Sequence, residues 1–141
     1  MQASRYDEPV IQYCSSLAGI KPDDLSEFCE GWASKPSPQK LYRALQGSQH
    51  VILAMDGGKV VGFINAISDG ELFAFVPMLE VVSEYRKQGI ASELVCRMFE
   101  RCKDLYGIDL LCDAPLVPFY ERFGMQEVSG MCLRNRLVLE Q

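Results

Sequence analysis

Two periods of hydrophobicity divide the chain. Between residues 50 and 82 the apolar positions come in short dense blocks, HVILAM, KVVGFINAI and ELFAFVPMLEVV, separated by Asp56-Gly57-Gly58 and Ser68-Asp69-Gly70. Blocks of this length, rich in β-branched and aromatic residues and joined by Gly-containing turns, predict an antiparallel meander. Past Gly89 the spacing changes: Ile90, Leu94, Val95, Met98, Phe99, Cys102, Leu105 and Tyr106 recur at helical intervals, with Glu93, Arg97, Glu100, Arg101 and Lys103 between them. A helix with one buried face is expected. Gly107 stops it and 108–112 (IDLLC) reads as a buried strand. The strand-helix-strand order implies a right-handed crossover to a parallel neighbour, so the sheet is expected to be mixed. Pro77 has no N–H to give a ladder and marks a bulge, an edge or a place where strands separate.

The pattern is weaker at both ends. Residues 10–14 suit a first strand, and Lys21-Pro22-Asp23-Asp24 introduces LSEFCEGW, a short helix ending near Gly31. Ser37-Pro38 caps QKLYRALQ and Gly47 stops it. The loop between these helices, 32–36, carries the only tryptophan, Trp32. A short helix at 118–123, halted at Gly124, precedes a last hairpin over 125–139.

With 141 residues, 48% of them hydrophobic, the chain fits a single domain over 1–141 with a sizeable core. A net charge of -5 speaks against a general nucleic-acid binder. No leader or membrane segment is read from the sequence, so a cytoplasmic protein is expected. The six cysteines form no C-x-x-C pair and read as reduced thiols in the core. No metal site is expected.

The segment 79–95, LEVVSEYRKQGIASELV, carries the candidate chemistry. A strand feeding directly into a helix leaves several N–H groups unpaired at the positive end of the helix dipole, which favours an anion. Arg86 and Lys87 add charge, Gly89 allows close approach to the backbone, and small Ala91 keeps the first turn open. The same residues also describe an ordinary solvated strand-to-helix turn.

The pattern Arg86-x-x-Gly89-x-Ala91 resembles the acyl-CoA pyrophosphate motif of the GNAT superfamily of N-acetyltransferases, and it lies where that family has it, between the fourth strand and the third helix. A second segment, Phe119-Tyr120-Glu121-Arg122-Phe123-Gly124-Met125, resembles the family's F-Y-x-x-x-G-F signature. The likeness extends over about residues 5–135. It implies an α/β (α+β) GNAT fold: a mixed, mostly antiparallel sheet of about six to seven strands, about four helices, and strands 4 and 5 splayed apart. It further implies a transfer of acetyl from acetyl-CoA to a primary amine by direct attack, with no metal. By the same resemblance Val81 and Val82 offer main chain to pantetheine, while Arg86, Lys87, Gln88, Gly89, Ile90, Ala91 and Ser92 hold the pyrophosphate. Tyr120 becomes the general acid for the leaving thiolate. Asp113 stands where many relatives carry an Asn that contacts CoA.

The general base is not legible. The strand positions that carry Glu or His in relatives are Pro77 and Phe75 here, and Glu80, Glu71, Asp113 and His50 are each more easily read as structural or solvated. Glu80 is expected on the alternate face of its strand. By position in the family fold, Phe28 and Trp32 line the acceptor side, with Tyr42 nearby. Asp23, Asp24, Glu27 and Glu30 make that region acidic. Acetyl-CoA and an amine, small molecule or peptide, are the expected partners; a homodimer stays open. A non-catalytic acyl-CoA-binding module and an unrelated nucleotide binder are the rival readings. The latter lacks the Gly-rich Rossmann and Walker patterns.

Overall fold

The structure is a computed structural model that describes residues 9–140. The first eight residues and Gln141, included in the single-domain expectation, lie outside the described residues. The spine is β3 (Lys59–Ser68), buried from Val60 to Ala66. A strand covered on both faces needs such an unbroken apolar run. It pairs antiparallel with β2 (His50–Asp56), which in turn pairs with β1 (Ile11–Cys14).

The block 71–82, expected as one strand, is two: β4 (Phe73–Phe75) and β5 (Leu79–Val81). Both pair antiparallel with β3, but only β4 continues to β6 (Gly107–Asp109), which lies parallel to it. The last rung is Val76 N–H donating to the Asp109 carbonyl at 2.9 Å, immediately before Pro77. Proline cannot supply the next donor, so the sheet forks there. Asn65, 2% exposed, bridges the fork: its Oδ1 accepts from Met78 N–H at 3.2 Å and its Nδ2 donates to Ser48 Oγ at 3.0 Å. The six-stranded mixed sheet is in the expected range, and the splayed pair is β5 and β6.

Among the described residues three α-helices accompany the sheet, with 3-10 turns where a fourth was expected. The strongest is α2 (Ile90–Arg101), whose Leu94, Val95 and Met98 are fully buried. Each such side chain stabilises the fold by about 1.5–3 kcal/mol. Gly62 sets how closely α2 approaches: a Cβ there would lie 3.2–3.3 Å from the Glu80 carbonyl oxygen, Ile90 and Leu94. The helix ends at Arg101, and Tyr106, expected on its buried face, is 83% exposed. On the opposite face of β3, Phe63 meets Phe28 edge-on, with centroids 5.0 Å apart. α1 (Pro38–Gln46) forms as expected, with Ser37 Oγ accepting from Lys40 N–H.

Two expected elements do not form. The helix foreseen to Gly31 is one 3-10 turn, Pro22–Leu25, and the chain then reverses where Cys29 takes a left-handed backbone (φ 63). The final hairpin over 125–139 is absent; the described part of that segment is irregular and then a 3-10 turn, Arg136–Glu140. The cysteines are all free, but only Cys29 and Cys102 are buried, which corrects the expectation of six core thiols. Among the described residues no helix is long and apolar enough to cross a membrane.

Candidate active site

The fork at Pro77 opens a cleft of about 540 Å3 between β5 and the short helix α3 (Val117–Glu121). In an antiparallel ladder, hydrogen-bonded and non-bonded pairs alternate. Val82 N–H donates to Val61 and the Met78 carbonyl accepts from Asn65, so the pairs between them, Val81 with Gly62 and Leu79 with Ile64, turn their main chain the other way. The N–H and C=O groups of Leu79 and Val81 therefore face the open edge. Arg86 Nε donates to the Val81 carbonyl from that side at 3.2 Å. Val82 corrects the expectation: its N–H is taken by Val61 and its carbonyl by Tyr85 N–H, both at 2.9 Å. Leu79 is the second open position.

At the end of this edge the chain turns through a 3-10 turn, Ser83–Tyr85, into α2. The turn is pinned by Tyr85, whose hydroxyl donates to the Asp56 carboxylate. Gly89 sits at the cap with φ 83, a conformation that costs an L-residue about 1–2 kcal/mol. Among the described residues, the N–H groups of Lys87, Gln88, Gly89, Ile90, Ala91 and Ser92 meet no acceptor. Six free donors at a helix start, beside two cations, form a bed for a polyanion. Ile90 offers only its N–H, since its side chain is in the core.

The sequence reading missed one member of this bed. Arg122, one residue past α3, donates to Ser92 Oγ at 3.0 Å and stacks over Phe119 and Phe123. It lines a second hollow with Arg86, Lys87 and Gly89. The only signal was a basic residue inside the F-Y-x-x-x-G segment.

Tyr120, half-buried on α3, lines the cleft. Burial, helped by Cys112, raises its phenol above the usual value of 10, so the proton is held through neutral pH. Across the cleft, Glu80 lies on the alternate face from Leu79 and Val81, as expected, yet it lines the cleft because residues 27–30 pack on that face: its Oε2 accepts from Cys29 N–H at 2.9 Å and from the Cys29 thiol at 3.5 Å. A hydrogen bond to a carboxylate contributes about 1.5–3 kcal/mol. That is the scale of the backbone strain at Cys29, so Glu80 can hold the left-handed turn. Burial and then the Glu80 charge push the Cys29 thiol up to about 12.

The same turn decides the acceptor side. Phe28 and Glu30 flank Cys29 in the cleft wall, and Glu27 joins them. Trp32 does not line the cleft; past the reversal it is 42% exposed. Tyr42 packs on the core, His50 begins β2 away from the cleft, Glu71 is exposed in the turn before β4, and Asp113 is exposed ahead of the 3-10 turn Ala114–Leu116. Of the wall carboxylates, Glu30 pairs with Lys35 at 2.6 Å, and Glu27 and Glu84 share Lys59 at 3.2 and 3.9 Å. Glu80 has no cation partner among the described residues. Among those residues no cluster of three or more His, Cys, Asp or Glu could hold a metal ion.

The sequence model of the acetyltransferase (GNAT) domain matches residues 17–139. The chain belongs to the GNAT acetyltransferase family. As a GNAT domain it is an acyltransferase, with acetyl-CoA as cosubstrate and a second substrate that accepts the acyl group. A crystal structure of a Deinococcus radiodurans R1 protein assigned as an acetyltransferase is 43% identical, with a TM-score of 0.86 and 89% of each chain covered. A GNAT family acetyltransferase of Streptococcus pneumoniae TIGR4 is 29% identical, with a TM-score of 0.74 over 90% of this chain and 99% of that one. Glucosamine-6-phosphate N-acetyltransferase of Arabidopsis thaliana shares the fold at 15% identity and a TM-score of 0.66, over 89% of this chain and 98% of that one. No functionally curated protein sequence matches the chain.

Proposed function

We propose that this GNAT domain transfers acetyl from acetyl-CoA to a primary amine by direct attack, with Glu80 taking the amine proton and Tyr120 returning one to the sulfur. The observation that carries the reading is the pairing across one cleft of a carboxylate with no cation partner among the described residues, Glu80, and a phenol held protonated, Tyr120. An amine reaches the site as an ammonium ion. The carboxylates of Glu27, Glu30, Glu80 and Glu84 on the cleft wall favour that cation, and one of them must then relieve it of a proton.

The main chain contributes the rest. The free edge at Leu79 and Val81 suits an extended amide-bearing arm, as an added strand would pair. The pyrophosphate is assigned to the N–H groups of residues 87–92 with Arg86, Lys87 and Arg122. With the thioester beside Val81, its N–H is the donor that polarises the carbonyl. The nitrogen lone pair forms the C–N bond, the C–S bond breaks, and the thiolate takes the Tyr120 proton. An acyl-cysteine route is disfavoured, because Cys29 keeps its proton to about 12 and the thiolate is the nucleophile.

The test is release of free CoA thiol from acetyl-CoA with a panel of small primary amines, basic peptides, alcohols and thiols. Release above background with at least one amine, and with no alcohol or thiol, is expected. Background rates with every amine would overturn the acceptor class.

A further inference from the structure

The fold treats the two carboxylate oxygens of Glu80 differently. Oε2 accepts twice from one residue, from Cys29 N–H at 2.9 Å and from the Cys29 thiol at 3.5 Å. Among the described residues no donor meets Oε1. The placement is fixed from both sides. Glu80 pairs with Phe63 in the β3–β5 ladder, and Phe28 stands edge-on to that same Phe63, so the residue after Phe28 arrives at Glu80. Lys35 closes the loop behind it, donating to the Ser26 carbonyl at 2.8 Å and to Glu30 at 2.6 Å.

The residue type at 29 carries further information. Cys29 holds φ 63, a conformation strained for any side chain and free for glycine. Two residues on, where the chain again needs the left-handed region, it has Gly31 at φ 84. A glycine at 29 would present the same N–H to Glu80, so what Cys29 adds is the thiol. Backbone strain of this kind clusters at active sites, where the side chain is needed. Burial and the neighbouring Glu80 charge keep that thiol protonated to about 12, so it remains a donor.

We propose, resting on the assignment of Glu80 as the base, that Cys29 is a positioning residue for the acyl transfer: its two bonds to Oε2 fix the carboxylate so that Oε1 is the atom that receives the amine proton. In the carboxylic acid formed at Oε1, Oε2 is the carbonyl oxygen and still accepts both bonds. The proton therefore moves from nitrogen to Oε1 with the Cys29 contacts intact. No rearrangement of the site accompanies the transfer.

The assay is steady-state thiol release from acetyl-CoA with the panel amine that the unsubstituted chain turns over fastest, 2-phenylethylamine and trilysine included. Cys29→Gly keeps the N–H, suits φ 63 and deletes the thiol; kcat should fall by about tenfold, with KM for acetyl-CoA within about twofold of the original. Cys29→Ala, which keeps the Cβ, repeats the measurement if the glycine variant melts early. Cys29→Ser returns a donor and should keep most of the original kcat. In a Glu80→Gln background Cys29→Gly should lower kcat no further, because it acts through Glu80. Original turnover in Cys29→Gly, equal losses in Cys29→Gly and Cys29→Ser, or a full further loss on top of Glu80→Gln overturns the positioning role and leaves Glu80 as the base. Unchanged turnover in Glu80→Gln, or background release with every amine, overturns the base and the positioning role together.

Discussion

The two walls of the cleft are made in different ways. The donor wall, 79–92, is one continuous piece of chain that works mainly through main-chain groups: two edge residues of β5 and six free N–H groups around the start of α2. The acceptor wall is assembled from distant pieces and works through side chains. Its central contact, Cys29 N–H to Glu80, joins residues 51 apart in sequence. Main-chain chemistry tolerates almost any residue that permits the backbone path. Side-chain chemistry depends on single identities, so the donor wall should tolerate substitutions that keep its backbone path while the acceptor wall should not.

Four substitutions sharpen or break that contrast. The largest effect is expected at Gly89, which with Lys87 is one of two donor-wall residues in the left-handed region. Gly89→Glu forces an L-residue to φ 83 and puts negative charge against the pyrophosphate bed, so CoA affinity by calorimetry should fall by at least about 100-fold. Affinity within a few-fold of the original, in a variant with a normal melting curve, would remove the bed from this turn.

On the acceptor wall, Glu80→Gln keeps an oxygen for Cys29 N–H and removes the proton acceptor. Loss of a general base typically costs 100- to 10,000-fold, so kcat should drop by about 100-fold with CoA affinity unchanged. Tyr120→Phe should lower kcat less. Because burial lifts the phenol above 10, its protonated form prevails at neutral and mildly alkaline pH, and the deficit should be flat across that range. Unchanged turnover in Glu80→Gln would reduce Glu80 to a brace for the Cys29 turn.

The smallest effect is expected for Arg122→Ala. The guanidinium is exposed and its bond to Ser92 is one of several contacts in the bed, so a loss of about 1 kcal/mol, roughly fivefold in CoA affinity, is expected. A loss as large as that in Gly89→Glu would mean that side-chain charge, rather than main-chain donors, dominates the donor wall.

Much of the donor wall was legible because its parts are neighbours in sequence. The apolar spacing after Gly89 gave α2, and Arg86, Gly89 and Ala91 stood together at its start. Pro77 marked a bulge, an edge or a separation of strands, since a missing donor interrupts a ladder wherever it falls, and the pairing of β4 and β5 shows that it is a fork. The exception is instructive: Val81 and Val82 look alike in sequence, and only the pairing with β3 shows that Val82 has spent both main-chain groups internally. The acceptor wall was misread for the same reason in reverse. Trp32 was expected to line it, but the left-handed Cys29 turns the chain so that Trp32 does not. Glu80 was set aside on strand alternation; it does alternate away from Leu79 and Val81, but the face it shares with its partner Phe63 is the one against which Phe28 and Cys29 pack.

The sequence by itself determined the hairpin of β2 and β3, the helices α1 and α2, and the basic turn at the start of α2, because periodicity, proline and helix starts act over a few residues. Only the tertiary structure decided which main-chain groups of β5 face the gap, that Glu80 reaches across to Cys29, that Arg122 comes to Ser92 at the start of α2, and that the main chain of 125–135 makes no hydrogen bond among the described residues. Those outcomes depend on contacts between segments far apart in sequence, where pairing and burial compete over the whole fold and no local pattern records which one wins.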